Sequence, residues 1–118
     1  MTDRLIDVSA LEAALELFAQ ERNWEQYHSP KNLAMALTGE VGELVEIFQW
    51  LTEEQSMSVA QDPATARAVR DELADVLLYL VRLATTLGVD LNEAVANKIV
   101  ANGRKYPAGD STPKRPAG

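Results

Sequence analysis

The feature that most constrains the fold is an apolar stripe at helical spacing that begins just after Ser29 and Pro30. A serine followed by a proline is typical of a helix start, where serine caps the helix and proline fits the first turn. The stripe consists of Leu33, Leu37, Val41, Leu44, Phe48 and Leu51. Other helices must cover a stripe of this length, and no alternating strand pattern competes with it. The sequence therefore predicts an all-α protein.

Three further segments carry helix signals. Ser9 and Glu12 have the spacing of a capping box, Gly88 is a C-terminal stop, and Asp90 with Glu93 opens another helix. The expected bounds are about 9–22, 64–87 and 90–103, with a loop over 52–63. The side chains expected to face inward are Leu11, Ala14, Leu15 and Phe18 in the first, Leu73, Val76, Leu77, Leu80, Ala84 and Leu87 in the third, and Leu91, Val95 and Ile99 in the fourth. We expect a four-helix bundle domain over residues 1–106 and a flexible tail over 107–118, which is rich in Pro, Gly and Ser.

Composition excludes several classes of function. The 118 residues are 47% hydrophobic and 25% charged, which is typical of one globular domain. The formal charge of -7 argues against a broad nucleic-acid surface, and the absence of cysteine excludes disulfides and thiolate metal sites. No long apolar run or secretion signal is found, so we expect a cytoplasmic protein without a membrane partner.

Two acidic flanks border the apolar stripes. Glu40 and Glu43 lie along one flank of the second helix with Trp50, and the third helix repeats the pattern with Glu72, Asp75 and Tyr79. Between positions 32 and 66 no Lys or Arg occurs, and none of the four acids has a basic residue four positions later. These acids are either solvated surface charges or ligands for a cation. Oxygen ligands alone favour Mg²⁺, with Mn²⁺ as the alternative.

Two glycines separate the acids of the second helix. Gly39 and Gly42 weaken the helix but leave room for another helix or a bulky ligand to approach its backbone.

Several segments resemble the MazG-type all-α nucleoside triphosphate pyrophosphohydrolases, and the dCTP pyrophosphatase branch in particular. The stretch GEVGE followed by ELAD is similar to the ExxE...ExxD signature of that family. The resemblance extends over most of residues 15–107, through NWEQYHSPKN and the ending KIVANGRKYP. It implies Mg²⁺-dependent hydrolysis of a deoxynucleoside triphosphate, dCTP or a related or modified nucleotide, to the monophosphate and pyrophosphate.

The resemblance also assigns residues. It implies metal ligands at Glu40, Glu43, Glu72 and Asp75. Of these, Glu43 is the candidate general base and Glu40 the second candidate catalytic residue. The implied substrate-binding residues are Trp24, His28, Trp50, Tyr79, Lys98, Asn102, Arg104, Lys105 and Tyr106. The sequence by itself leaves core, interface or helix-end roles open for all of these. In the animal enzymes a first-helix histidine contacts the nucleotide, whereas this chain has Leu15 at the nearest position, which leaves base selectivity open.

Rival interpretations differ in chemistry. A metal-free helical interaction module would use the acids only for solubility. A di-iron bundle needs Glu-x-x-His pairs, which the sole histidine, His28, does not form. Related pyrophosphohydrolases that act on dUTP or phosphoribosyl-ATP catalyse the same type of reaction.

Surplus apolar surface on the second and third helices predicts a homo-oligomer. The resemblance favours a tetramer over a dimer, with sites shared between chains. We expect a partner subunit to contribute Trp24 and His28 to the base pocket.

Overall fold

The computed structural model describes residues 4–109, and this part of the chain is helical without a strand. Its elements are α1 (Ser9–Glu21), a 3-10 helix (Glu25–Tyr27), α2 (Pro30–Phe48), α3 (Glu53–Ser56), α4 (Ala66–Leu87) and α5 (Leu91–Lys105). The all-α prediction is confirmed, and the four long helices lie within a few residues of their expected bounds. The domain boundary at 106 and the tail over 107–118 stay predictions, because positions 110–118 lie outside the described residues.

No helix within residues 4–109 is both long enough and apolar enough to cross a membrane.

Helix ends follow the capping signals in all but one case. The Ser29 hydroxyl accepts a hydrogen bond from the Asn32 amide, and the Asp90 carboxylate accepts one from the Glu93 amide. Gly88 ends α4 in the left-handed region at φ 69°, which glycine adopts without strain. The expected Ser9 cap is wrong. Ser9 is the first helical residue, and its amide donates to the Asp7 carboxylate at 3.0 Å instead.

A short helix interrupts the segment expected to be a loop over 52–63. Thr52 caps α3 through a complete capping box with Gln55, in which each side chain bonds the other residue's backbone amide. The Thr-x-x-Gln spacing was a readable signal for this turn. Because α3 has only four residues, it leaves the four-helix plan unchanged.

The helices α2 and α4 form the main packed pair, and α1 packs against α4 as well. This arrangement corrects the inward face expected for α4. Leu73, Leu77, Leu80 and Leu87 are 54%, 42%, 41% and 55% exposed, whereas Val81 is fully buried. The reason is that α2 and α1 cover α4 from sides other than the one that carries these leucines. The described chain therefore leaves an apolar face on α4 uncovered.

Candidate active site

Three of the four predicted acids converge between α2 and α4. Glu40 and Glu43 lie one turn apart on α2, and Glu72 faces them from α4. One carboxylate oxygen of each lies within 4.8 Å of the other two. Glu40 and Glu72 are half-buried, whereas Glu43 is exposed. We call these three residues the acidic cluster.

Two carboxylate oxygens of the acidic cluster lack partners. The Oε2 atoms of Glu40 and Glu72 are buried, and neither has a hydrogen-bond partner among the described residues. Burial raises the pKa of Glu72 to about 7, and the neighbouring charges of Glu43 and Glu40 add to that shift. Burial also raises the pKa of Glu40, to which the charges of Glu43 and Asp75 contribute. These carboxylates repel one another, and none of the ion pairs within residues 4–109 includes them.

A hard divalent cation fits this arrangement. A buried carboxylate oxygen without a partner is costly, and a cation that it ligates removes both the desolvation penalty and the mutual repulsion. The donor set contains only carboxylate oxygens, which suits Mg²⁺ or Mn²⁺ better than zinc. The acidic cluster could therefore bind a metal.

Space around the acidic cluster is open on the glycine side of α2. A methyl group at Gly39 or Gly42 would meet no atom of the described residues within 4 Å, apart from its chain neighbours and the local backbone of α2. No helix of the described chain uses the room that these glycines leave.

The segment between α1 and α2 positions two aromatic side chains. Asn23 adopts a left-handed conformation at φ 56°, which asparagine tolerates better than most residues, and the Trp24 amide then donates to the Ala19 carbonyl at 2.9 Å. The 3-10 helix follows, and the His28 amide donates to the Glu25 carbonyl. This tight reversal turns Trp24 and His28 back toward α4.

A mostly apolar pocket of about 160 Å³ lies where this reversal meets α1 and α4. The rings of Phe18, Trp24 and His28 form a chain of edge-to-face contacts, with centroids 5.6 and 6.3 Å apart. The lining of this aromatic pocket is Leu15, Phe18, Trp24, His28, Asp75, Leu78, Tyr79 and Arg82. The pocket thus gathers four of the predicted site residues in one chain, and Asp75 connects it with the acidic cluster one turn away.

Sequence reasoning missed Arg82 and Glu16. Arg82 is 8% exposed, and its guanidinium donates to Glu16 on α1 and to the His28 ring. Arg82 is the only basic residue between Arg70 and Lys98, and its neighbours over positions 76–84 are mostly apolar. A lone arginine in such a stretch needs a buried acceptor, and this signal could have identified it.

A larger cavity of about 400 Å³ lies where α1 and α5 begin. None of the predicted site residues lines it, and Asp7, Glu12 and Asp90 give its rim a negative charge. Arg4 also lines this cavity, and within residues 4–109 its acids do not form a group with metal-ligand spacing, so the acidic cluster and the aromatic pocket remain the candidate site.

The remaining predicted residues neither belong to the acidic cluster nor line the aromatic pocket within residues 4–109. Trp50 is 87% exposed and does not line the aromatic pocket. The other five belong to α5 or follow it, and none lines the pocket: Lys98, Asn102, Arg104, Lys105 and Tyr106. Lys98, Arg104 and Lys105 are exposed, and the Lys105 ammonium lies 5.3 Å from the centre of the Tyr106 ring.

The expectation that Trp24 and His28 complete the site of a partner subunit is not supported by this arrangement. Both line the same pocket as Asp75 of their own chain. The compact turn from Asn23 to His28 is the physical reason, because it folds both rings back onto the helix that carries Asp75.

Comparisons with known proteins show which proteins this chain is similar to. Human dCTP pyrophosphatase 1 is 52% identical over 91 residues, which cover 77% of this chain and 54% of that protein. The bovine protein of the same name is 51% identical over 90 residues, covering 76% and 53%. The chain thus spans about half the length of these curated relatives.

A solved structure and a family profile extend the comparison. The crystal structure of a pyrophosphatase from Archaeoglobus fulgidus matches with a TM-score of 0.78 and 37% identity, over 91% of this chain and 98% of that chain. The MazG-like family profile matches residues 36–114, which include the whole acidic cluster. The chain belongs to the MazG-like family.

Proposed function

We propose that this chain hydrolyses a deoxynucleoside triphosphate, dCTP or a related or modified nucleotide, to the monophosphate and pyrophosphate. The observation that carries the proposal is the acidic cluster, with two buried and unpartnered oxygens, beside an aromatic pocket. A cation held by the acidic cluster would bind the charged triphosphate, and the aromatic pocket would bind the flat base. The names of the human and bovine relatives and of the Archaeoglobus fulgidus protein support the same reaction.

Glu40, Glu43 and Glu72 would hold the divalent ion, with Asp75 as a fourth ligand from the next turn of α4. When bound, Mg²⁺ or Mn²⁺ supplies charge neutralisation of the phosphates and Lewis-acid activation of water. Glu43 is the exposed member of the acidic cluster, so it is the best placed to accept a proton from the attacking water. Glu40 is half-buried beside it on the same helix and would be a second catalytic carboxylate.

The aromatic pocket would bind the base. Trp24 and Phe18 offer ring faces and edges, while Tyr79 and His28 offer polar groups at the same cavity. Leu15 lines this pocket, so the position at which the animal enzymes carry a histidine is apolar here. A nucleotide screen that includes dUTP and phosphoribosyl-ATP distinguishes cytosine, a modified cytosine and other bases.

A second copy of the chain would complete the site. The uncovered leucines of α4 form an apolar face that a homo-oligomer would bury, and Trp50 and the cations of α5 have no role at the site within one chain. We propose that the partner subunit supplies Trp50 to the base and Lys98, Asn102, Arg104, Lys105 and Tyr106 to the phosphates, in a tetramer or a dimer. The protein would act in the cytoplasm, in control of the nucleotide pool.

The test is a screen of canonical and modified nucleoside triphosphates with Mg²⁺ that measures both products. Monophosphate with pyrophosphate is the expected pair, and none should form after chelation of the metal. Diphosphate with orthophosphate as the first products would reject the cleavage position. No product from any nucleotide, together with a melting temperature unaffected by Mg²⁺, would favour the metal-free interaction module.

The assembly has its own test. Mixing a Glu43→Gln chain with a Trp50→Ala chain should restore activity, because a mixed oligomer contains one site with every group intact. Light scattering that shows a fully active monomer would reject the shared site.

A further inference from the structure

Arg82 connects three elements beside the aromatic pocket. Its Nε–H donates to Nδ1 of His28 at 3.1 Å, and its Nη1 donates to Oε2 of Glu16. Arg82 is 8% exposed and the side chain of Glu16 is 39% exposed. The planar guanidinium has its donors in a fixed fork, so the contact with Glu16 fixes the direction in which Nε–H points.

This contact determines where the proton of His28 lies. An arginine in a protein always donates and never accepts, so Nδ1 of His28 must be the unprotonated nitrogen. The ring is then neutral, with its single proton on Nε2. Nε2 points away from Arg82 and has no hydrogen-bond partner among residues 4–109. An N–H group of a pocket-lining residue is thus left free to donate to a ligand.

We propose that Arg82 is a positioning residue that holds His28 as the neutral Nε2–H tautomer, so that His28 donates a hydrogen bond to an acceptor on the bound base. This inference rests on the proposed function. A carbonyl oxygen or unprotonated ring nitrogen at the edge of a pyrimidine has the required chemistry. Of the other polar side chains lining the pocket, Asp75 is the proposed fourth metal ligand and Arg82 is bonded to His28 and Glu16, which leaves the Tyr79 hydroxyl and the Trp24 indole N–H as further groups that could read the base.

The charges around His28 are compatible with a neutral ring. Burial lowers the pKa of His28 and the positive charge of Arg82 lowers it further, whereas Glu16 on α1 and Glu25 in the 3-10 helix act in the opposite direction. Asp75 on α4 lines the same pocket. A pKa below the usual 6.5 keeps the ring neutral at physiological pH.

The tautomer can be observed directly, because His28 is the only histidine of the chain. Two-bond ¹H–¹⁵N correlation spectra of ¹⁵N-histidine-labelled protein report which ring nitrogen carries the proton, without interference from another residue. We expect the Nε2–H pattern in the free protein above the His28 pKa. The Nδ1–H tautomer, or an even mixture of the two, would overturn the proposal.

Arg82→Lys tests the positioning role, because lysine keeps the charge near Glu16 but lacks the planar fork. We expect mixed tautomers and a KM about tenfold higher, with kcat within twofold of wild type, as one hydrogen bond to the base is lost. The matched control is Arg70→Lys on the exposed surface of the same helix, which should change neither. An Arg82→Lys protein with the wild-type tautomer and KM would overturn the inference.

A second variant covers the case in which Arg82→Lys does not fold. Glu16→Gln retains Arg82 but weakens the contact that orients it, so the tautomer preference should weaken and KM should rise by a smaller factor. An unchanged tautomer and KM in this variant would count against the anchoring role of Glu16 and hence against the proposal. The failure of the proposed function is distinguishable, since it is the absence of pyrophosphate from the wild-type protein, whereas the spectra require no activity.

Discussion

The acidic cluster and the Arg82 network use ionisable groups in opposite ways along the same helix. Arg82 is nearly buried, and its charge is matched within the chain by Glu16 and His28. Glu72, about three turns earlier on α4, shares its site with Glu40 and Glu43, and two of their oxygens have no partner in the described chain. A network of paired charges stabilises the fold and fixes the geometry of its side chains. A cluster of unpaired like charges lowers the stability of the fold unless it binds a cation. This contrast separates the groups that hold the site in shape from those that we propose bind the metal.

The largest effect is expected from Glu43→Gln, which removes a ligand charge and the candidate base. Hydrolysis should fall by more than about 100-fold at saturating Mg²⁺, since loss of a residue that only hydrogen-bonds to a metal ligand already costs up to that factor. Glu46→Gln is the matched control, because Glu46 is an exposed acid of the same helix outside the acidic cluster. Near wild-type turnover in Glu43→Gln, measured as pyrophosphate release, would show that Glu43 is neither an essential metal ligand nor the base.

Stability should respond in opposite directions to changes in the two regions. Arg82→Met leaves Glu16 and His28 without their donor and should lower the free energy of unfolding by about 2–4 kcal/mol, less than a fully buried pair because Glu16 is partly exposed. Glu72→Gln removes one of three repelling charges and should raise the stability of the metal-free protein. Denaturant unfolding with and without Mg²⁺ measures both changes in stability. A Glu72→Gln protein that is less stable than wild type without metal would show that the carboxylates of the acidic cluster already have favourable partners.

Trp24→Ala separates binding from chemistry. The loss of a base-contacting ring should raise KM by a factor that corresponds to about 1–3 kcal/mol, by analogy with bases stacked on aromatic side chains, while kcat changes little. Steady-state kinetics with the preferred nucleotide provide the measurement. If the variant instead loses thermal stability with KM unchanged, Trp24 is a core residue and the aromatic pocket does not bind the base.

The smallest effect is a dependence of stability on pH. Because the pKa of Glu72 is raised to about 7 from 4.5, the folded metal-free protein binds more protons than the unfolded chain between these values. Its contribution therefore makes the protein more stable as pH falls through about 7, and that gain is complete below about 4.5. His28, whose pKa is lowered, acts in the opposite direction, so the effect is read as the difference between wild type and Glu72→Gln. A melting-temperature difference that is independent of pH would contradict the raised pKa.

Local signals predicted most of the fold, and long-range contacts explain the errors. The Ser29 and Asp90 caps and the Gly88 stop are local features, and all were readable. The covered side of α4 is not local, because it depends on where α1 and α2 approach. The leucine stripe from Leu73 to Leu87 was therefore assigned to the interior, although the described chain leaves it exposed.

The candidate site shows the same division. Glu40, Glu43 and Glu72 could be paired from helical spacing and from the lack of neighbouring cations. The partners of Arg82 could not, since Glu16 and His28 lie on separate elements whose approach is set by the turn at Asn23. The contributions of Trp50 and α5 stay predictions, because they require a second chain.

The open space above Gly39 and Gly42 carries a consequence for engineering. Each glycine weakens the middle of α2 by up to about 1 kcal/mol relative to alanine, and outside the local backbone of α2 no atom of the described residues fills the room that a methyl group would occupy. Replacing both glycines with alanine is therefore expected to raise the free energy of unfolding. If substrate or a neighbouring helix occupies this space, the more stable variant would be a poorer catalyst. The lower stability of α2 would then be the cost of keeping that space open.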